Sequence, residues 1–240
     1  MESSLYVAIA GQRTLQKQLT TVANNIANSN TVGFRAESVD FRSLVANTEN
    51  QPTNFPVVGG LHPSLVQGAL TQTDNPLDIA LSGEGWFGIS TPNGTAYTRD
   101  GRMQITPFGE LQTLEGFTVL DAGEAPILLD TKAGPPTIQK DGRIVTNGKT
   151  IGNIGVFSID RQNLMSRYTN SAFFATTPGV PVAIGGKTNI TQGYLEESNV
   201  NPLHELTRLI AITKNFESVS AIIERADNTI AKSVNELAGV

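Results

Sequence analysis

The sequence predicts an α+β fold. Long helices at the two ends of the chain form a coiled-coil-like helical domain, and an antiparallel β-rich middle domain is inserted between them. Two observations predict the helices: apolar residues recur at alternating steps of three and four through the first thirty residues, and again through the last thirty. A third predicts the middle. There, short apolar runs are separated by Asn93-Gly94, Asp100-Gly101, Asp141-Gly142 and Asn147-Gly148, dipeptides that favour tight hairpins.

The N-terminal seam runs Leu5, Ala8, Gln12, Leu15, Leu19, Val22, Ile26, with Gln12 as its one polar interruption. The C-terminal seam runs Leu209, Ile212, Phe216, Val219, Ile223, Ala226, Ile230, Ser233, Leu237, and its only polar member is a small serine near the end. Burying a large aliphatic or aromatic side chain contributes roughly 1.5 to 3 kcal/mol. Leaving either stripe in water would therefore forfeit an amount comparable to the net stability of a domain. The two helices covering each other is one solution. The second helix, however, carries further apolar residues off its seam at Leu206, Ile210, Ile222 and Val234, and a wider stripe suits a bundle of several chains. No third long helix lies between the two, so coverage by other subunits, and hence self-association, is expected.

Along the chain the N-terminal helix occupies 1–34, and residues 35–75, rich in Asn, Gln, Thr, Pro and Gly, read as an extended connector. Pro52, Pro56, Gly59, Gly60 and Pro63 interrupt any helix or central strand there. The β-rich domain spans 76–195. Its expected strands are Leu77–Leu81, Trp86–Ser90, Ala96–Arg99, Met103–Thr106, Phe117–Leu120, Thr137–Ile138, Ile144–Thr146, Ile154–Asp160 and Phe173–Thr176. The C-terminal helix occupies 196–240, with Asn201 placed to cap the backbone and Pro202 suited to the first helical position.

Composition narrows function by exclusion. With 39% apolar residues the chain has enough for a real core, and a net charge of -5 with scattered basic residues argues against nucleic acid as the main ligand. No run of 18 apolar residues exists to span a membrane, and the N-terminus shows no Sec-type signal peptide. Cysteine is absent, which removes disulfide scaffolds and thiol–metal sites. A Gly-x-Gly-x-x-Gly match at Gly83, Gly85 and Gly88 leads into a hairpin turn rather than a helix, so a strand bend is the better reading than a dinucleotide loop. The histidines, His62 and His204, have no metal-ligand neighbours at useful spacing. Asp74, Asp78 and Glu84 read as caps and solvated loop residues, and Glu196 and Glu197 as acidic residues ahead of a helix. No catalytic, metal or cofactor-binding residue is expected, and an enzyme is not indicated. A carbohydrate cleft around Trp86, or a self-contained secreted β protein whose end helices pair only with each other, stand as rival readings.

The segment Ala23-Asn24-Asn25-Ile26-Ala27-Asn28 places Asn24 and Asn28 four apart on one helical face while Ile26 continues the seam. Buried side-chain amides need partners. Two readings stand: a frayed helix end stopped by Gly33, or a polar network that fixes the register of packed helices.

Asn24 to Asn28 followed by Thr31-Val32-Gly33-Phe34-Arg35 resembles the N-terminal signature of bacterial flagellar rod and hook proteins. The stretch Thr73 to Phe87 with Tyr97-Thr98-Arg99-Asp100-Gly101 resembles the family's central region, and Gln192 to Asn201 its C-terminal signature. The short connector, the Thr91-Pro92-Asn93-Gly94 turn and the total length most resemble the proximal-rod members, with a distal-rod or hook-type axial protein as the alternative. Trp86 stands where phenylalanine is common and Val32 where proline is common. The resemblance implies a structural subunit that assembles through its terminal helices into a helical drive shaft carrying torque across the periplasm, with the β domains outside an inner helical tube. It implies transit through the flagellar type III export apparatus, and partners among other rod proteins. On this reading the subunit interfaces use Leu5, Leu15, Leu19, Val22, Asn24, Asn25, Ile26, Asn28, Thr31, Gly33 and Phe34 from the first helix region. Leu209, Ile212, Phe216, Val219, Ile223, Ile230 and Leu237 serve from the second.

Overall fold

The computed structural model describes residues 2–48, 51–160 and 163–238, with side chains described for 6–40, 42, 57–160, 163, 166–226, 228, 229 and 232. The chain opens with α1 (Glu2–Ala27) and closes with α2 (Pro202–Ala238), and the segment between them is built of strands. The α+β character expected from the periodicities is therefore present. Two compact units divide the chain: one holds residues 1–27, 37–61 and 201–240, the other 28–36 and 62–200.

In the first unit α2 starts where its signals place it. The Asn201 carbonyl accepts from Glu205 N at 3.0 Å, and its side-chain oxygen accepts from His204 N at 3.1 Å, satisfying a donor that the first turn leaves open. Pro202 is the first helical residue. The segment expected as an extended connector is extended but paired: β1 (Glu37–Thr48) and β2 (Gln51–Pro63) hydrogen-bond to each other as a two-stranded sheet. The prolines exclude only helix and central strand, and both members of a two-stranded sheet are edges.

The second unit runs on through β3 (Leu70–Gln72), β4 (Ile79–Ser82), β5 (Trp86–Thr91), β6 (Gly94–Thr98), β7 (Met103–Ile105), β8 (Leu111–Thr113) and β9 (Thr118–Val119). It continues with β10 (Thr137–Ile138), β11 (Arg143–Thr146), β12 (Lys149–Asn153), β13 (Val156–Ser158), β14 (Leu164–Arg167) and β15 (Ala172–Ala175). The last strands are β16 (Val180–Pro181), β17 (Asn189–Gln192) and β18 (Tyr194–Glu196). The main sheet has the order β14-β15-β6-β5-β9-β8-β7, with β13 joined to β5 and to β16. A three-stranded sheet β10-β11-β12 and the pairs β17–β4 and β18–β3 complete the unit. Every expected strand is represented. Three of the four dipeptides mark hairpins, β5 to β6 with Gly94 opening β6, β10 to β11 at Asp141-Gly142 and β11 to β12 across Asn147-Gly148, whereas Asp100-Gly101 joins β6 to β7, which do not pair with each other.

β5 lies at the centre because it is apolar on both faces. Phe87 and Ile89 join a core with Ile79, Leu81, Leu111 and Ile144, whereas Trp86 joins Tyr97, Phe157, Ile159 and Phe173 on the other side. A strand covered on both faces reads as a continuous apolar run, as Trp86-Phe87-Gly88-Ile89 does. Gly88 admits the Phe157 ring: a Cβ there would lie 2.6 Å from Phe157 Cε2. The Gly-x-Gly-x-x-Gly match is thus an adaptation of strand packing, with no helix following it.

Candidate functional site

Two features hold the residues singled out by sequence: the helix pair in the first unit and a buried charged cluster in the second. In the helix pair, Gln12 Nε2 donates to Ser220 Oγ at 3.0 Å and Asn25 Nδ2 donates to Glu205 Oε2 at 3.2 Å. Advancing along α1 from 12 to 25 retreats along α2 from 220 to 205, so the helices run antiparallel. The two intervals, 13 and 15 residues, span about 20 and 23 Å at the helical rise. The seams face each other. Val22 and Ile212 are buried, while Leu15, Leu19, Ile26, Leu209, Phe216, Val219 and Ile223 are half-buried. Leu5, Ile230 and Leu237 lie outside the residues whose side chains are described.

Each helix also presents a second apolar face. Leu203, Leu206 and Ile210 are 74%, 45% and 58% exposed. At about 100° per residue they fall within about 60° of one another, and on the side of α2 away from Glu205 and Ile212. Tyr6 and Ile9 do the same on α1, and Ile222 is exposed farther along α2.

The polar network anticipated in the asparagine-rich segment is centred on Asn25, which is 1% exposed. Its amide nitrogen donates to the Glu37 carbonyl at 3.0 Å and to Glu205, and its oxygen accepts from Glu37 N at 3.0 Å. One side chain thereby ties α1 to the start of β1 and the first turn of α2. Asn24 is exposed. Asn28 accepts from Thr31 Oγ1 at 3.1 Å in the turn that follows the helix, and that turn belongs to the β-rich unit.

In the second unit the three signature segments meet. Glu196, at the end of β18, accepts from Arg35 Nη2 at 2.6 Å through one carboxylate oxygen and from Arg99 Nη1 at 3.0 Å through the other. Gly68 N adds a third bond at 3.1 Å. Arg35, Arg99 and Glu196 are 1%, 4% and 1% exposed. Burial holds the Arg99 guanidinium below its ordinary range and lowers that of Arg35 to about 10, Glu196 opposing the effect in both. Both guanidiniums sit over the Trp86 ring, at 5.9 and 5.6 Å from its centre. Phe173 meets the Trp86 ring edge-on at 5.6 Å, and Arg167 lies 4.4 Å from the Phe173 centre and 4.2 Å from that of Phe34.

Backbone bonds close the same corner. Gly33 N donates to the Glu196 carbonyl at 2.7 Å, and its φ of +67° is one that favours glycine. A Cβ at Gly33 would lie 2.3 Å from Asp100 N. Asn199 accepts from Ala36 N and donates to the Val66 carbonyl, both at 2.7 Å. Gly33 and Phe34, named from sequence for a subunit interface, pack within the β-rich unit in this chain, Phe34 with no exposure at all. Glu196 does not act on a helix terminus as its position in sequence suggests; it is the counter-ion of two arginines. Sequence reasoning passed over Arg35, Arg99, Asn199 and Glu205. The available signal was charge set among aromatic and glycine residues, Phe34-Arg35 and Tyr97-Thr98-Arg99, where a solvated side chain has little reason to be.

Among the described residues no group of acidic and histidine side chains could hold a metal ion, and no helix is long and apolar enough to cross a membrane.

Three family models match the chain: "Flagella basal body rod protein" at residues 5–35, "Flagellar hook protein FlgE/F/G D1 domain" at 80–146, and "Flagellar basal body rod FlgEFG protein C-terminal" at 191–237. The flagellar basal-body rod protein FlgF of Mesorhizobium japonicum is 41% identical over 237 residues, covering 99% of this chain and 98% of the relative. FlgF of Rhizobium meliloti is 41% identical over 239 residues, covering 100% and 99%. FlgG of Bacillus subtilis is 33% identical over 265 residues, covering 98% and 99%. The chain belongs to the flagellar basal-body rod protein family, a structural rather than an enzymatic family, and within it is most like FlgF of the proximal rod.

Proposed function

We propose that this rod subunit builds the proximal rod by packing α1 and α2 against the helices of neighbouring subunits in a coiled-coil-like arrangement. Transit to the periplasm is through the flagellar type III export apparatus. A single contact repeated head to tail gives an open helix rather than a closed ring. Torque passes along such a shaft because a helix close-packed on several sides cannot turn without displacing its neighbours. The half-buried seam residues of both helices, together with the exposed faces beside them, are the proposed contact set.

The observation that carries this reading is the exposed face of α2 formed by Leu203, Leu206 and Ile210. A lone helix pair leaves that apolar area in water, and additional helices would cover it. Leu206→Asp with Ile210→Asp tests it, because both sites are exposed in the monomer and the change leaves the helix pair intact. In the bacterium that carries the chain, swimming should be lost and basal structures truncated, with export of the variant unchanged. Full motility would overturn the proposal.

The antiparallel pairing of α1 with α2 favours one rival, a self-contained protein whose ends cover only each other. A purified monomer with both termini resistant to protease, together with wild-type motility of the double variant, would establish that rival.

A further inference from the structure

The second unit contains a cavity of about 180 Å3, lined by Arg35, Arg99, Trp86 and Gly85 and rimmed by Leu65, Glu84, Ser158 and Asp160. For comparison, an apolar cavity of about 150 Å3 takes a benzene molecule. Here the buried wall is ionic. Arg35 donates through Nη1 to the Val66 carbonyl and through Nη2 to Glu196, and Arg99 donates through Nη1 to Glu196 and through Nη2 to the Gly83 carbonyl. The Nε–H of each has no acceptor. Glu196 accepts from Arg35 Nη2, Arg99 Nη1 and Gly68 N, and neither Nε–H reaches it.

Two buried guanidiniums against one buried carboxylate leave a surplus of one positive charge within the buried wall, which the exposed Glu84 opposes only from the rim, and two unused donors. Buried N–H groups ordinarily find partners, and charged ones most of all. A carboxylate matches this deficit in charge, and its two oxygens match the number of free N–H groups. The rim is not similarly demanding: Glu84, Ser158 and Asp160 are exposed.

We propose that this cavity is a carboxylate-binding site, closed at its base by Arg35, Arg99 and Trp86. The carboxylate is either a small free ion or an acidic side chain of another copy of this chain, which carries an excess of acidic over basic residues, 22 against 17. Binding would add a second counter-ion and stiffen the corner where the three signature segments meet. This inference is independent of the proposed helix packing, since all of its residues lie in the β-rich unit.

Trp86 is the only tryptophan of the chain and lines the cavity, so its fluorescence reports on occupancy directly. The full-length monomer is titrated with sodium acetate against sodium chloride at matched ionic strength, and separately concentrated without added anion. A saturable emission change with acetate and not with chloride supports the site with a free ion as ligand. A change with protein concentration alone, reversed by acetate, supports it with a second copy as the source. Glu84→Gln removes a repelling charge from the exposed rim and should tighten acetate roughly threefold or more, and Ser158→Asp should weaken it. Circular dichroism establishes that both variants fold. Identical responses to acetate and chloride, or no response in wild type and Glu84→Gln alike, would overturn the proposal. So would a response confined to Glu84→Gln, which would assign the cavity to the chain's own Glu84.

Discussion

The two units solve the same problem, the cover of apolar surface, by different means. Of the 29 buried apolar side chains among the described residues, only Val22, Val39 and Ile212 belong to the helical unit; the rest lie in the β-rich one. The β-rich unit therefore carries its own core, whereas the helices hold their seams half-buried and a second apolar face in solvent. Polar chemistry divides the same way. The β-rich unit fixes its signature segments with a fully buried ion cluster, and the helical unit fixes its register with side-chain amides and one carboxylate. The difference separates stability from readiness to associate: the β-rich unit is completed by its own folding, and the helical unit leaves an apolar face that neighbours would cover.

The largest effect expected is on the finished unit. Glu196→Gln leaves Arg35 and Arg99 buried without a counter-ion, and breaking a buried ion pair from one side costs about 3 to 5 kcal/mol. Urea denaturation of the full chain followed by Trp86 fluorescence should show that loss. A variant within about 1 kcal/mol of wild type would mean that solvent reaches the cluster, and the contrast with the helical unit would shrink.

Next comes Gly33→Ala. The left-handed φ costs about 1 to 3 kcal/mol for a side chain, and the new Cβ would press on the Asp100 backbone, which cannot retreat as a flexible side chain would. The same denaturation experiment measures it. A neutral result would show that the turn after α1 can relax without disturbing the ion cluster.

Asn25→Ala carries the test to the helical unit. Three hydrogen bonds are lost, and Glu37 N is left without its buried acceptor, a penalty of about 1 to 3 kcal/mol. Because the helices have little buried core to compensate, the loss should appear as lower helical ellipticity and faster proteolysis of the termini, with Trp86 emission unchanged. Simultaneous loss of both signals would mean that the units unfold together.

These residues also show how far the sequence could be read. The helices, the hairpins at Asn93-Gly94 and Asn147-Gly148, and the cap at Asn201 are local: a few neighbouring residues determine each, and each was legible. β17 and β18 pair with β4 and β3 across more than a hundred residues, and no turn signal announces such a partner. β1 and β2 hid behind prolines that forbid central strands but not edges. In the asparagine segment the period of the seam continues to Ile26, and the helix ends at Ala27. Beyond that point Gly33 and Phe34 serve the β-rich unit. Which asparagine is buried depended on contacts with Glu37 and Glu205, 12 and 180 residues away, and periodicity alone points to Asn24 and Asn28.

The smallest expected effect concerns Gln12, the one polar member of the first seam. Its Nε2 donates to Ser220 Oγ, and that hydroxyl in turn donates to the Phe216 carbonyl at 2.9 Å. Gln12→Leu removes one hydrogen bond, worth about 1 kcal/mol, leaves Ser220 bonded to Phe216, and gains a partly buried leucine of similar benefit. Stability should move by less than about 1 kcal/mol in either direction. What changes is uniqueness, since an all-apolar seam pairs almost as well one heptad along, and a polar pair at one position penalises the slip. The chain has no cysteine, so spin labels on cysteines introduced at the exposed positions Arg13 and Glu217 report the pairing without interference. A single narrow distance in the parent that broadens or doubles in Gln12→Leu would establish the bond to Ser220 as the register of the pair. An unchanged distance would transfer that role to Asn25 alone.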